Sequence, residues 1–416
     1  MLKMMSLMSM LLAGVMLLSG CVMTVQAPGP EGPVINNPSV ETPNTKIVNE
    51  NSGFNVFDST LIEFIDEKKG TENYMISPMS FKYALGLAVL GAEGETKDEL
   101  LKAMGYTSFD DLATLDNRMK LTLENFERVN EMNKSFSEGE GEVDEITFEI
   151  ANSIWDLKGL IKDEYKNEVQ EKLSAEARNV KFEDAITEIN SWINNKTRGL
   201  IPNALNNLNP DDKGVLVNTL YLKSTWFEKF NLSDNKLKFK DIDGKKVEKD
   251  SMYRQDKFRY YKDKDVELIV VPMDGGIEVV YVVGDKSNIE EKIDKAEYKE
   301  VIFEVPMMDF ETSLENQELI EYLGKMGVKT AFGATANFDK MAEGFCISDI
   351  LQKTKIKTDE EGLEAAAVTI MMMKTTSALP EIEIPIKFTI DEPFSFYIYS
   401  EQDEVKDLMF YGQYVR

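Results

Sequence analysis

The chain has 416 residues, 43% of them apolar, enough to bury a sizeable core. Its formal net charge of −27 argues against nucleic acid, which needs a basic footprint, and against direct adhesion to an anionic membrane surface. Histidine is absent, which removes Ser–His–Asp and Cys–His catalysis and every His-containing zinc site.

The first segment, Met4 to Leu18, is an apolar run of about fifteen residues, short for a bilayer span and suited to a signal-peptide core. Lys3 and the α-amine supply a weak positive start. The run ends in Leu18-Ser19-Gly20-Cys21, which resembles the lipobox of bacterial lipoproteins. That resemblance implies a signal peptide over residues 1–20 and a lipidated Cys21 as the new N-terminus. The protein would then be extracytoplasmic and held at a membrane by its acyl chains despite its acidity. The alternative is an ordinary secretory signal in which Cys21 is incidental. Residues 21–51 carry Pro28, Pro30, Pro33, Pro38 and Pro43 with little apolar periodicity, and read as an extended tether. With only one other cysteine, Cys346, no disulfide framework is available. Cys346 between Phe345 and Ile347 reads as a small buried hydrophobe.

Residues 52–416 read as one α+β domain, in which helices dominate first and strands follow. Phe54, Phe57, Leu61, Phe64 and Ile65 recur at helical spacing, predicting an amphipathic helix over Asn55–Lys68. Ser77-Pro78 is a helix start, with a serine cap and proline at the first helical position. Thr96-Lys97-Asp98-Glu99 reads as a capping box for a helix stopping at Gly105. A longer helix is predicted over Phe109–Asn133, then an acidic loop over Ser135–Asp144 and a strand over Ile146–Ala151. Glu188–Thr197 is helical, ended by Gly199. Val215–Leu222 is apolar and β-branched, as in a strand buried on both faces. Gly275-Gly276 joins two strand runs, Leu268–Met273 and Ile277–Val283, as a hairpin. Asn316–Met326 is a helix stopped by Gly327, and Ile347–Thr358 is a Lys-rich alternating strand.

The segment after that strand carries the most information: Glu360, Glu361, Gly362, Leu363, Glu364, Ala365, Ala366, Ala367, Val368 and Thr369, continuing to Met373 and Lys374. At period two, Leu363, Ala365, Ala367, Thr369, Met371 and Met373 share one uncharged face, and both charges, Glu364 and Lys374, fall on the other. That is a strand with one buried face. An Ala-rich helix is the competing local reading, because Leu, Glu and Ala all favour helix.

This stretch resembles the hinge of the serpins, protease inhibitors whose exposed reactive loop inserts into their own central sheet. Leu363 departs from the hinge pattern, where Thr or Ser is usual. Five further blocks resemble the family in order. They are Ile76-Ser77-Pro78-Met79-Ser80, Asn190–Ile201, Val215–Trp226, Phe388–Ile398 (with Glu392 unusual) and Leu408–Gly412. The resemblance implies a serpin fold, with helices around a large central sheet plus smaller sheets, and a reactive loop at about residues 360–384. It also implies a monomeric inhibitor rather than an enzyme, without catalytic residues, metal or cofactor.

The serpin resemblance, counted by family spacing from Glu360, implies a scissile bond within one or two residues of Thr376–Ser377, with Lys374–Thr375 as runner-up. Thr376 would suit an elastase-like or subtilisin-like protease and Lys374 a trypsin-like one. Ser77, Ser80 and Asn218 match polar residues beneath the central strands, where the sheet opens, and Trp226 stands at the end of the central strand. Gln352 takes the place of a histidine common in the family. Gln offers a donor and an acceptor but does not titrate, so opening without a pH switch of that origin is expected. Two other readings stay open: a serpin fold that binds without inhibiting, and an unrelated substrate-binding lipoprotein.

Overall fold

The computed structural model describes residues 10–22, 54–136, 145–314, 316–360 and 384–416. The first element is a strand, β1 (Met10–Val22). Helix α1 (Val56–Lys69) follows, with Asn55 as its cap: the Asn55 side chain accepts from the Asp58 amide, and the Asp58 carboxylate accepts in return from the Asn55 amide. After β2 (Tyr74–Ile76) comes α2 (Pro78–Gly91), capped by Ser77 and buried along its entire length.

Helix α3 (Gly94–Ala103) begins two residues before Thr96, with no side-chain cap. The Thr96 hydroxyl instead receives the Asn337 amide, and the Glu99 carboxylate receives the amides of Lys329 and Thr330. The apparent capping box is therefore a tertiary tie. Helix α4 (Phe109–Phe136) runs one turn further than its apolar pattern indicates. Next come β3 (Thr147–Asp156), α5 (Asp163–Leu173), β4 (Glu176–Asn179) and α6 (Phe182–Lys196), the last starting six residues before the expected Glu188.

The middle of the chain is β-rich: β5 (Gly214–Ser224), β6 (Asn231–Leu232), β7 (Leu237–Lys240), β8 (Lys246–Lys249), β9 (Ser251–Lys262), β10 (Val266–Met273) and β11 (Ile277–Gly284). The β10–β11 hairpin turns at Gly275 and Gly276, at φ of +77° and +81°, which only glycine adopts without strain. A Cβ at Gly275 would also overlap the Phe126 ring. The remainder is α7 (Ile289–Asp294), β12 (Glu297–Pro306), β13 (Asp309–Leu314), α8 (Asn316–Lys325), β14 (Phe345–Lys357), β15 (Ile386–Thr389), β16 (Phe394–Gln402) and β17 (Val405–Tyr414).

Among the described residues the strands form a six-stranded sheet, β13-β14-β1-β5-β3-β4, a nine-stranded sheet built on β15-β12-β9-β10-β11-β16-β17-β2 with β6 beside β9, and a small β7–β8 ribbon. The expected mixed α+β architecture is what the chain adopts. Strand β5 is buried on both faces. Leu216, Leu220 and Leu222 face the main core with α2, while Val215, Val217 and Tyr221 face α6 and its Ile189, Trp192 and Ile193. Trp155 meets Trp192 edge to face there, with centroids 6.4 Å apart.

Candidate functional site

The site is a line of side chains under the six-stranded sheet. Strand periodicity sends alternate residues of β14 to opposite sides: Gln352, Thr354 and Ile356 are buried, whereas Lys353, Lys355 and Lys357 lie on the opposite, half-buried face. In register across the sheet, Leu314, Gln352, Met16, Asn218 and Asn152 stand side by side on β13, β14, β1, β5 and β3.

Two polar clusters flank Met16 in that row. On one side, the Gln352 amide nitrogen donates to the Ser77 carbonyl at 2.9 Å and its oxygen accepts from the Ser77 amide at 3.1 Å. The Ser77 hydroxyl donates to the Met409 carbonyl at 2.8 Å and caps α2 through the Ser80 amide. On the other side, Ser80 donates its hydroxyl to the Asn218 side-chain oxygen. The Asn218 amide donates to Asn152 Oδ1 at 2.9 Å, and the Asn152 amide donates to the Leu173 carbonyl at 2.9 Å. All of these groups are buried, so each bond spares a desolvation cost of roughly 1–3 kcal/mol. A second tie lies one step along: Thr354 Oγ1 donates to the Met75 carbonyl and Thr312 Oγ1 accepts from the Met75 amide. Thus α2 and β2 hold β14 and β5 through short polar side chains.

Trp226 stands away from that row, at the far end of β5. It lies just beyond β5, pairs with Met273 as a bridge, and donates its indole N–H to the Asp359 carbonyl at 2.8 Å. The Phe230 amide donates to the Glu360 carbonyl at 3.3 Å, and the Phe230 ring meets Trp226 edge to face at 5.2 Å. Beneath, Arg254 stacks on Phe230 and Phe258, and burial lowers its guanidinium pKa to about 10. Asp274 accepts from the Thr225 hydroxyl, and burial pushes its carboxyl pKa upward against that bond. The end of β14 is therefore latched to the end of β5 at the point where the hinge begins.

A family model described as "Serpin (serine protease inhibitor)" matches residues 52–416. The chain belongs to the serpin family. Its relatives include an uncharacterized serpin-like protein of Thermococcus kodakarensis, 27% identical with 95% of each chain covered. A leukocyte elastase inhibitor A of Mus musculus is 29% identical, with 86% of this chain and 97% of that protein covered. The native protease nexin-1 structure with heparin superposes with a TM-score of 0.68 at 24% identity, covering 88% of this chain and 98% of that one, a likeness of fold. The family match sets aside the unrelated substrate-binding lipoprotein.

Of the residues singled out from the serpin resemblance, Ser77, Ser80, Asn218 and Gln352 come together around the buried row, and Trp226 lies apart from them, beyond the end of β5. Glu360 is the last described residue before the loop. Glu361 to Thr369 of the hinge, and both candidate bonds, Lys374–Thr375 and Thr376–Ser377, lie outside the described residues. Cys21 sits on β1 in register with Cys346 of β14. Asn152, Thr312, Thr354 and Met16 belong to the same layer and were not anticipated. For Asn152 and Thr354 a signal existed: each is a polar residue on the apolar face of an alternating strand.

Proposed function

We propose that this serpin inhibits serine-type endopeptidases as a suicide substrate. The target's serine oxygen attacks the carbonyl carbon of Thr376. The Thr376–Ser377 bond breaks, the new amine leaves on Ser377, and an acyl-enzyme remains on Thr376. The freed hinge then runs back antiparallel to β14 and enters the central sheet between β14 and β5. The tethered protease is carried with it, and distortion of its oxyanion hole stops deacylation. Reactive-loop insertion is the general serpin form of strand addition, in which main-chain hydrogen bonds supply the driving force.

The observation that carries this reading is the geometry beside β14. A 13-residue strand there runs antiparallel to both β14 and β5, and β14 leads directly to Glu360 at the hinge. A loop turning back after Glu360 has that direction. About ten new ladder hydrogen bonds, each worth ~1 kcal/mol net, are comparable with the stability of an ordinary domain. The uncut loop is therefore held out by a kinetic barrier.

The test mixes residues 22–416 with subtilisin-like, elastase-like and trypsin-like proteases. An SDS-resistant band at the summed mass is expected, with a released C-terminal peptide beginning at Ser377. Clean cleavage without such a band for every protease would contradict it. A second reading, a serpin fold that binds a partner without inhibiting, is favoured by Leu363 alone, whose bulk falls on the inserting face. We further propose that the mature chain is an extracytoplasmic monomer anchored through acylated Cys21. The mass of its N-terminal peptide tests the acylation, and Cys21→Ser should abolish it.

A further inference from the structure

Strand β1 occupies the gap into which the reactive loop would insert. It is paired along both edges, from Leu11↔Lys357 to Val22↔Phe345 on β14 and from Met10↔Ser224 to Gly20↔Gly214 on β5. A register shift at Ser19/Gly20 interrupts only the β14 side. Met16 and Leu18 lie in the main core, and Met16 Sδ is 3.9 Å from the Gln352 amide nitrogen, between the two polar clusters. Without β1, β5 and β14 would each present an open ladder edge, which must close or take another strand.

Two segments of this chain are suited to that gap. Residues 10–22 carry no charge at all, and residues 363–375 carry charge on only one face. Both are 13 residues long when matched to the strand. Only one can pair with β14 and β5 at a time.

We propose that residues 10–22 act as an internal plug: while they remain joined to the chain they fill the β14–β5 gap and exclude the loop strand, and cleavage before Cys21, which strips all of the plug but Cys21 and Val22, makes the sheet able to expand. The exclusion rests on the insertion reading above, but occupancy of the gap is tested independently of any protease. On the processing reading proposed above, the leader is thus a regulatory segment as well as an address. A chain still carrying it is held in a filled-sheet state and becomes competent to inhibit only after processing.

The experiment uses the full chain, made in a membrane-free translation system so that the leader stays attached. Mild oxidation with copper phenanthroline should join Cys21 to Cys346, whose Cα atoms face each other across the ladder. Mass spectrometry of the linked peptides reads this. A fluorescent synthetic peptide of residues 363–375 should then fail to bind the full chain and bind the full-length Met16→Arg variant. That substitution sets an unpaired charge beside Gln352 and Asn218 and should expel the plug. Leu18→Glu is the second variant, because it breaks the same face without touching the Gln352 row. Reduced and oxidised full chain should both refuse the peptide, with the oxidised form the stricter. Peptide uptake by the unmodified full chain equal to that of both variants, or absence of the Cys21–Cys346 link, overturns the proposal. Failure of the inhibitory reading shows itself differently: the variants take up the peptide, yet no protease is trapped.

Discussion

The two large sheets of this serpin are held together by different chemistry. The nine-stranded sheet packs on aromatic rings: Phe303 touches Phe258, Tyr281 and Phe388, with centroids 6.0, 5.4 and 5.6 Å away. The six-stranded sheet adds to its apolar packing a layer of Ser77, Ser80, Asn152, Asn218, Gln352 and Thr354, which hold β5 and β14 by directional bonds. Interdigitated rings resist any sliding, because every displacement opens voids. Short hydrogen-bonding side chains can release one partner and find another at little net cost, since a paired bond contributes only ~1 kcal/mol. On the proposed mechanism the first sheet serves as a frame and the second is the one that parts.

The contrast between the sheets is tested most sharply at the loop. Ala367→Arg places a charge on the face that the proposed insertion would bury in the six-stranded sheet. It should cut the yield of covalent complex at least about tenfold while leaving cleavage intact, because an unpaired buried charge costs several kcal/mol. SDS gels at fixed protease ratio read the partition. An unchanged yield would mean that the inserting face is assigned wrongly.

A frame mutation should behave differently. Phe303→Ala should lower stability by about 3–5 kcal/mol, equally before and after loop cleavage, as read by urea titration of both forms. A change confined to one form would erase the distinction between the sheets. In the parting sheet, Asn218→Ala strands the Ser80 hydroxyl and the Asn152 side-chain oxygen. It should cost roughly 1–3 kcal/mol, and unequally in the two forms, because that row is rebuilt when the occupant changes.

Two smaller effects refine the contrast. Leu363→Thr, which restores the usual hinge residue, should raise the rate of insertion by a fewfold, measured from the fluorescence of a labelled loop. Gln352→His should add a pH dependence that originates at this position. A buried imidazole facing the Ser77 backbone favours its neutral form, so its folded pKa lies below the unfolded ~6.5. Its stability contribution is then present above that pH and lost as pH falls through it. The melting temperature of the variant should drop relative to the natural chain between about pH 6.5 and 5.5, and parallel curves would contradict this.

Much of this was legible in the sequence for local reasons. Ser77-Pro78 announced the start of α2 because a cap and an N1 proline satisfy or avoid orphan amides there. The Lys alternation of β14 announced a strand with one wet face. Pairing order was not legible, because nothing local distinguishes which apolar strand will be a neighbour. Strand β1 was hidden for a specific reason: apolar residues at nearly every position fit a leader core and a doubly buried strand equally well, and a period of two finds no contrast there. Thr96 and Glu99 misled in the opposite way, since the same side chains that cap a helix also accept from distant amides. The Asn152–Asn218 contact joins residues 66 apart, which only the sheet register brings together.

The most direct measurement is thermal unfolding of residues 22–416 before and after a single cut within residues 361–383. The cut protein, with its loop drawn between β5 and β14, is expected to melt at a markedly higher temperature than the intact one. Equal or lower melting after the cut would show that the gap does not accept the loop, and the trap would fail with it.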